Sequence, residues 1–308
     1  MDGISLPVGS ARSRDSEHAG SNSIFKQVIK RIMYCEFWNL TQAPFKQWLD
    51  LEYFFESEFH EEALARLLFV ADEQKKCSIL SGPAGTGKTL TLKVFQQLLK
   101  RTPHQCELID LIGLGEEELL WQVCASLRLG PALDTPLPRL WRQLTDYLNG
   151  LQLTQGRQIL LLDHVDQART ECMPAIERLL HAGNQQFPTL SLVLSLDHLK
   201  ATDTLSRNSD LSIELDSFDQ ETTESYITSR LSWSGCQSDL FSAAAYQEIQ
   251  AASQGIPAKI NQICDLALLA GFEQNLSTID ADVIKRACHE IKGAPVSRNR
   301  ISEVIQRV

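Results

Sequence analysis

The sequence lacks any apolar run near the length that a lipid bilayer requires. A transmembrane helix needs about 20 consecutive apolar residues, and no segment of the 308-residue chain approaches that length. The N-terminus also lacks the hydrophobic core of a signal peptide. The sequence therefore predicts a protein with no membrane segment, and the cytoplasm as its compartment.

Closely spaced cysteine pairs are also missing. The eight cysteines are scattered, and no Cys-x-x-Cys motif occurs. Several lie in apolar runs, such as Cys77 and Cys106 in predicted strands. Buried free thiols in a reducing compartment explain this distribution better than disulfides or a zinc site.

The chain has fewer basic residues than acidic ones. The chain has 29 Lys and Arg residues against 39 Asp and Glu residues, which gives a formal net charge of -10. This balance provides no general electrostatic footprint for nucleic acid, so DNA is not a favoured partner, although a local basic patch is compatible with it. With 43% hydrophobic residues, the chain can bury a substantial core.

One glycine-rich motif stands out at residues 82–89. Its glycines allow backbone N–H groups to surround a phosphate, its lysine reaches the β- and γ-phosphates, and its last hydroxyl ligates Mg²⁺. The apolar run before it predicts a short strand, and the run after it predicts a helix whose N-terminus faces the anion. The sequence therefore predicts binding of a nucleoside triphosphate with Mg²⁺ by Gly82, Pro83, Ala84, Gly85, Thr86, Gly87, Lys88, Thr89 and Leu90.

The order of strand and helix patterns predicts an α/β fold. Four further apolar segments read as strands, at 106–111, 158–163, 190–196 and 211–215. Beyond Asp219, apolar residues recur only at helical spacing. Strands that alternate with helices, followed by helices alone, predict a P-loop NTPase: a parallel sheet sandwiched by helices, then a small helical lid.

The same changes in pattern predict the domain boundaries. Residues 1–22 are rich in Ser, Gly, Arg and Asp and are expected to be disordered. Residues 23–218 form the predicted nucleotide-binding domain, beginning with a short amphipathic helix from Ile24. Residues 219–292 form the predicted lid, and residues 293–308 form a polar tail.

A carboxylate ends the most apolar predicted strand. Asp163 follows a run of Ile and Leu, and the carboxyl end of a parallel strand faces the ligand crevice. We therefore expect Asp163 and Thr89 to hold Mg²⁺. His164 comes next and can act as a weak base, while Asp166 can reach the site through a water. A third interpretation, beside a base at His164 or at Asp166, is that the protein hydrolyses nucleotide slowly or not at all.

Several blocks of the sequence resemble the ExeA-type (general secretion pathway protein A) AAA+ ATPases, which are related to the TniB-type and Mu B-type ATPases of DNA transposition. Residues 43–45 and 53–67 are similar to the N-terminal segment of that family, which reads Phe-Phe-x-Ser-x-x-His-x-Glu-Ala-Leu. Residues 226–231 are similar to its Tyr-Ile-x-x-Arg-Leu helix, and residues 255–270 to its lid block. The resemblance covers about residues 40–292 and implies an AAA+ fold.

Two positions depart from the family pattern. The catalytic Glu of the family falls on His164, and the lid Arg called sensor 2 falls on Ala258. Lys259 beside it can substitute only if the helix rotates. Both changes are expected to weaken hydrolysis more than binding, because residues 82–89 and Asp163 are intact.

The resemblance suggests further site residues, each with a plainer alternative. Ser195 is a candidate sensor 1 or a Ser that caps a strand. Arg207 is a candidate finger toward the nucleotide of a neighbouring subunit or a solvated loop charge. Arg230 faces the nucleotide or is structural. His60 lies near the adenine or is a packed helix residue.

The resemblance therefore implies an ATP-dependent switch with slow ATPase activity. Nucleotide state, ATP or ADP, would control homo-oligomerisation or binding of an unidentified protein partner. A non-hydrolysing ATP-binding protein and an accessory ATPase of DNA transposition are the alternatives. Because the chain ends after the lid, we expect the membrane segment and envelope-binding region of the longer secretion proteins to be absent.

Overall fold

The computed structural model describes residues 33–46, 51–197, 205 and 207–291. The predicted disordered segment 1–22 and tail 293–308 lie outside the described residues, as does most of the helix predicted from Ile24. A helical stretch over residues 33–37 opens the described part of the chain.

A parallel sheet forms the centre of the molecule. Its strands are β1 (Cys77–Ser81), β2 (His104–Asp110), β3 (Arg157–Asp163), β4 (Leu190–Leu196) and β5 (Leu211–Glu214). The five strands are ordered β2-β3-β4-β1-β5, and every neighbouring pair is parallel. The predicted parallel α/β sheet is confirmed, with strand ends within a few residues of those expected.

Among the described residues, five helices cover the two faces of the sheet. They are α1 (Glu58–Asp72), α2 (Lys88–Leu99), α3 (Glu116–Ser126), α4 (Leu137–Leu153) and α5 (Met173–Gln185). In β3, Leu160 and Leu162 pack in the core with α3, α4 and α5, whereas Ile159 and Leu161 pack in the core with α1 and α2. Burial of both faces explains why the strands read as continuous apolar runs rather than alternating ones.

Four helices follow the last strand. They are α6 (Gln220–Trp233), α7 (Ala243–Ser253), α8 (Pro257–Glu273) and α9 (Ala281–Ile291). Asp219 caps α6 by accepting a hydrogen bond from Thr222 N at 2.8 Å. These helices share a separate apolar core with Tyr34 and Trp38. The division into a sheet domain and a lid at residue 219 stays a prediction.

All eight cysteines are free thiols in the structure. Burial raises the pKa of Cys77 and of Cys106 to about 12, so both thiols are protonated at neutral pH. Within the described residues, no helix is both long enough and apolar enough to cross a bilayer.

Candidate nucleotide-binding site

The glycine-rich loop connects β1 to α2 and needs its glycines for two reasons. Gly82 and Gly87 have positive φ angles of 153° and 104°, which side chains disfavour. A Cβ at Gly82 would lie 2.3 Å from the Leu215 carbonyl oxygen, and one at Gly87 would lie 2.9 Å from His60 Nε2. Backbone and neighbours therefore both exclude larger residues here.

Lys88 opens α2, and its ammonium reaches back across the loop. Nζ donates to the carbonyl oxygens of Gly82 at 2.7 Å and Pro83 at 3.2 Å, and to Asp197 Oδ1 at 2.8 Å. A lysine ammonium has three N–H donors, so all three are engaged. A phosphate that binds Lys88 must therefore replace at least one of these partners. Asp197, at the end of β4, was not predicted.

His60 packs against the glycine-rich loop and forms a hydrogen bond with its backbone. Its Nε2 lies 3.1 Å from the Thr86 carbonyl oxygen, and its Nδ1 lies 2.7 Å from Ser57 Oγ. Because a carbonyl only accepts, Nε2 carries the proton and Nδ1 accepts from the Ser57 hydroxyl. Burial lowers the pKa of His60, which favours this neutral form. His60 is thus a packed residue that fixes the loop backbone.

Asp163 and His164 lie at the carboxyl end of β3, beside the end of β2. Asp163 is buried, and its Oδ1 accepts from the His164 backbone N at 3.0 Å. The His164 ring places Nδ1 3.0 Å from Asp110 Oδ1 and 3.6 Å from Asp163 Oδ2. Asp110 is the register partner of Asp163 on β2. Asp110 was not predicted as a site residue, although its place near the end of a predicted strand, like that of Asp163, was a signal for it.

Two buried oxygens near this edge have no hydrogen-bond partner among the described residues, namely Asp166 Oδ1 and Ser195 Oγ. The other oxygen of Asp166 accepts from the Asp197 backbone N at 2.9 Å. Leaving a buried polar atom unpaired costs about 1–3 kcal/mol. Such atoms are typical of sites that engage a water or a ligand, which is the kind of role predicted for both residues.

The first turn of α8 contacts the loop directly. Ala258 N donates to the Gly85 carbonyl oxygen at 3.2 Å, and a Cβ at Gly85 would lie 2.8 Å from Ala258 Cβ. The predicted sensor 2 position therefore lies against the loop, but it carries a methyl group. Lys259, its predicted substitute, is exposed.

The structure brings most of the predicted site residues to one edge of the sheet. Thr89 and Leu90 lie in the first turn of α2 and are half-buried. Arg207 is exposed before β5 and makes no contact with the loop that the described residues show. Its predicted role toward a neighbouring subunit stays a prediction, as do the catalytic roles of the other residues.

Comparisons with known proteins agree with this geometry. A family model described as an AAA domain matches residues 71–204. General secretion pathway protein A of Aeromonas hydrophila is 27% identical over 270 residues, which cover 85% of this chain and 49% of that protein. The chain therefore spans about half the length of this curated relative.

Solved structures resemble the fold. Cdc6p from Pyrobaculum aerophilum has a TM-score of 0.65 at 15% identity and covers 82% of this chain and 74% of its own. Drosophila ORC bound to DNA has a TM-score of 0.67 at 15% identity, covering 97% and 74%. The Thermotoga maritima RuvB Holliday junction branch migration motor has a TM-score of 0.51 at 15% identity, covering 77% and 70%.

At this level of identity, the solved structures establish the fold alone. The AAA+ P-loop fold implies nucleotide binding. Together with the parallel five-stranded sheet, these findings show that the chain has the fold of the AAA+ P-loop ATPases and a sequence similar to that of general secretion pathway protein A.

Proposed function

We propose that the chain binds ATP with Mg²⁺, hydrolyses it slowly, and uses its nucleotide state to control assembly or partner binding. One observation carries the proposal. Residues 82–89 and Asp163, which are expected to bind phosphate and metal, are intact, whereas His164 and Ala258 lie where the family has its catalytic Glu and its sensor 2 Arg.

The residues present suit Mg-ATP. The loop turns at positive-φ glycines, a geometry that lets backbone N–H groups face an anion, and Lys88 lies against it. Thr89 and Asp163 would hold the metal, which neutralises charge on the transferred phosphoryl group. Replacement of Asp197 by phosphate at Lys88 would tie nucleotide binding to the end of β4.

His164 would be an unusual general base, because the family has a glutamate at this position. Nδ1 faces the carboxylates of Asp110 and Asp163, so Nε2 is the nitrogen that would take a proton from water. The imidazolium formed would be stabilised by both carboxylates, as in other sites where a carboxylate orients a histidine. Since a neutral imidazole replaces the family's carboxylate and no lid arginine is present at residue 258, we expect slow turnover.

Nucleotide binding by Lys88→Ala tests the first half of the proposal. We expect affinity for a fluorescent ATP analogue to fall at least about tenfold, because a charge-assisted contact to phosphate is lost. Arg66→Gln, which alters an exposed pair with Glu62, is the matched control. Equal affinity of wild type and Lys88→Ala would exclude the loop as the binding site.

Turnover by His164→Glu tests the second half. If the site is otherwise competent, a carboxylate base should raise phosphate release by about 100-fold, and Ala258→Arg should add to the gain. Absence of turnover in wild type and in both variants would favour the second candidate, a non-hydrolysing ATP-binding protein. Fast turnover by the wild type would contradict both the slow-switch proposal and that candidate.

A role on DNA is the third candidate. It is supported by similarity to structures such as ORC bound to DNA and opposed by the net charge of -10. A gel shift with ATP at low salt decides it, because phosphate contacts are strongest there. We expect no shift.

A further inference from the structure

Arg230 occupies a cleft that contains none of the glycine-rich loop residues. The lining of this shallow cleft includes Gln42, Lys46, Tyr53, Arg230 and Trp233. Arg230 lies in the last turn of α6, and the facing wall comes from the segment that precedes α1. Two parts of the chain far apart in sequence thus build this second site.

Arg230 is largely buried, and the described residues provide no counter-ion for its guanidinium. The residue is only 9% exposed, and its Nε donates to Tyr226 OH at 3.1 Å. The guanidinium carbon lies 5.2 Å from the Tyr226 ring centroid and 5.6 Å from that of Trp233. Among the described residues, neither Nη group has a hydrogen-bond partner, and no carboxylate forms an ion pair with Arg230.

A buried charge needs a partner. Removing a cation from water is unfavourable unless hydrogen bonds or an opposite charge compensate. The two aromatic rings compensate in part, as does the carboxyl end of α6, where carbonyl groups carry partial negative charge. The two Nη groups nevertheless remain as a fork of unused donors that borders a cleft.

We propose that this cleft binds a carboxylate on an acidic segment of a partner protein. A guanidinium fork matches a planar carboxylate with two parallel hydrogen bonds. The partial negative charge at the carbonyl end of α6 opposes a phosphate dianion more strongly than a singly charged carboxylate. The net charge of -10 also opposes recruitment of a polyanion such as nucleic acid.

The cleft is connected to the glycine-rich loop through buried hydrogen bonds. Tyr226 OH, which accepts from Arg230, donates to Asn261 Oδ1 at 2.9 Å. Asn261 lies on α8, whose residue Ala258 contacts Gly85. If nucleotide binds at the loop as proposed above, carboxylate affinity and nucleotide affinity should influence each other equally. Binding of the carboxylate itself does not depend on that proposal.

Indole NMR of the full chain tests the site directly. The probe is an acetylated and amidated Ala-Glu-Ala peptide, and the matched control is its Ala-Gln-Ala counterpart. We expect the Trp233 indole signal, assigned with Trp233→Phe, to shift with the Glu peptide at a dissociation constant on the order of 1 mM. The Gln peptide should leave it in place. Arg230→Lys, which keeps the charge but loses the fork, should bind about tenfold more weakly.

The comparison of the two peptides uses wild-type protein, so the test survives if an Arg230 variant does not fold. Equal shifts with both peptides, or no shift with either up to about 20 mM, would overturn the proposal. Tighter binding of inorganic phosphate than of the Glu peptide would also overturn it. Arg66→Gln, at an exposed arginine on α1, should bind the Glu peptide as the wild type does. A nucleotide-binding defect with normal peptide binding would count against the proposed function alone.

Discussion

Asp197 is the residue whose substitution should change the site most informatively. It holds Lys88 by an ion pair at 2.8 Å in which the lysine is 6% exposed, so it competes with phosphate for the same ammonium. We expect Asp197→Asn to bind an ATP analogue about threefold to tenfold more tightly, as measured by fluorescence titration. Glu62→Gln, at the exposed pair with Arg66, should leave affinity unchanged. Weaker binding by Asp197→Asn would instead indicate that the carboxylate helps to hold the nucleotide.

His60 gives the fold a pH dependence of predictable sign. Burial lowers its pKa in the folded state below the ordinary value of 6.5, so the unfolded chain binds this proton more readily. The stability that neutral His60 contributes is fully present above about pH 6.5, and it is lost as pH falls through the lowered pKa of the folded state. Urea unfolding at pH 7.5 and 5.5 should therefore show a smaller loss of stability on acidification in His60→Gln than in the wild type. An equal loss in both proteins would contradict this.

At the scale of single elements, the cap of α6 offers a clean measurement. Asp219 accepts a hydrogen bond from the Thr222 backbone N, and this bond lowers the pKa of Asp219. We expect Asp219→Ala to reduce the free energy of unfolding by about 1 kcal/mol, as measured by urea denaturation. Asp134→Ala, in an exposed loop, is the control. An Asp219→Ala protein as stable as the control would show that α6 does not depend on its cap.

Elements that depend on local pattern were predictable, and contacts set by strand order were not. The strands around Leu160 and Val193 are buried on both faces, so their sequences reveal them without any partner. Asp197 reaches Lys88 across 109 residues only because β4 lies beside β1. Nothing in the sequence gives that order. The contact of His60 with the loop depends on how α1 packs, which the local pattern does not reveal either.

At the scale of the whole molecule, Arg207 should act between copies of the chain. It is exposed before β5, so a role in catalysis requires a neighbouring subunit. We expect Arg207→Ala to keep its ATP affinity and to lose most turnover. Mixing it with Lys88→Ala, which retains Arg207, should restore part of the turnover as mixed oligomers form. Phosphate release measures turnover, and light scattering with ATP and with ADP measures oligomer formation. Full turnover by Arg207→Ala alone would exclude the finger.

The contact of α8 with the glycine-rich loop has a mechanical consequence. The helix has 17 residues and, at 1.5 Å per residue, is about 25 Å long. Ala258, in its first turn, lies against Gly85, and its far end packs in the second apolar core. If the loop moves on binding phosphate, a tilt of about 5° at the near end displaces the far end by about 2 Å. In that case α8 would transmit the movement of the loop to the second apolar core through the contact of Ala258 with Gly85.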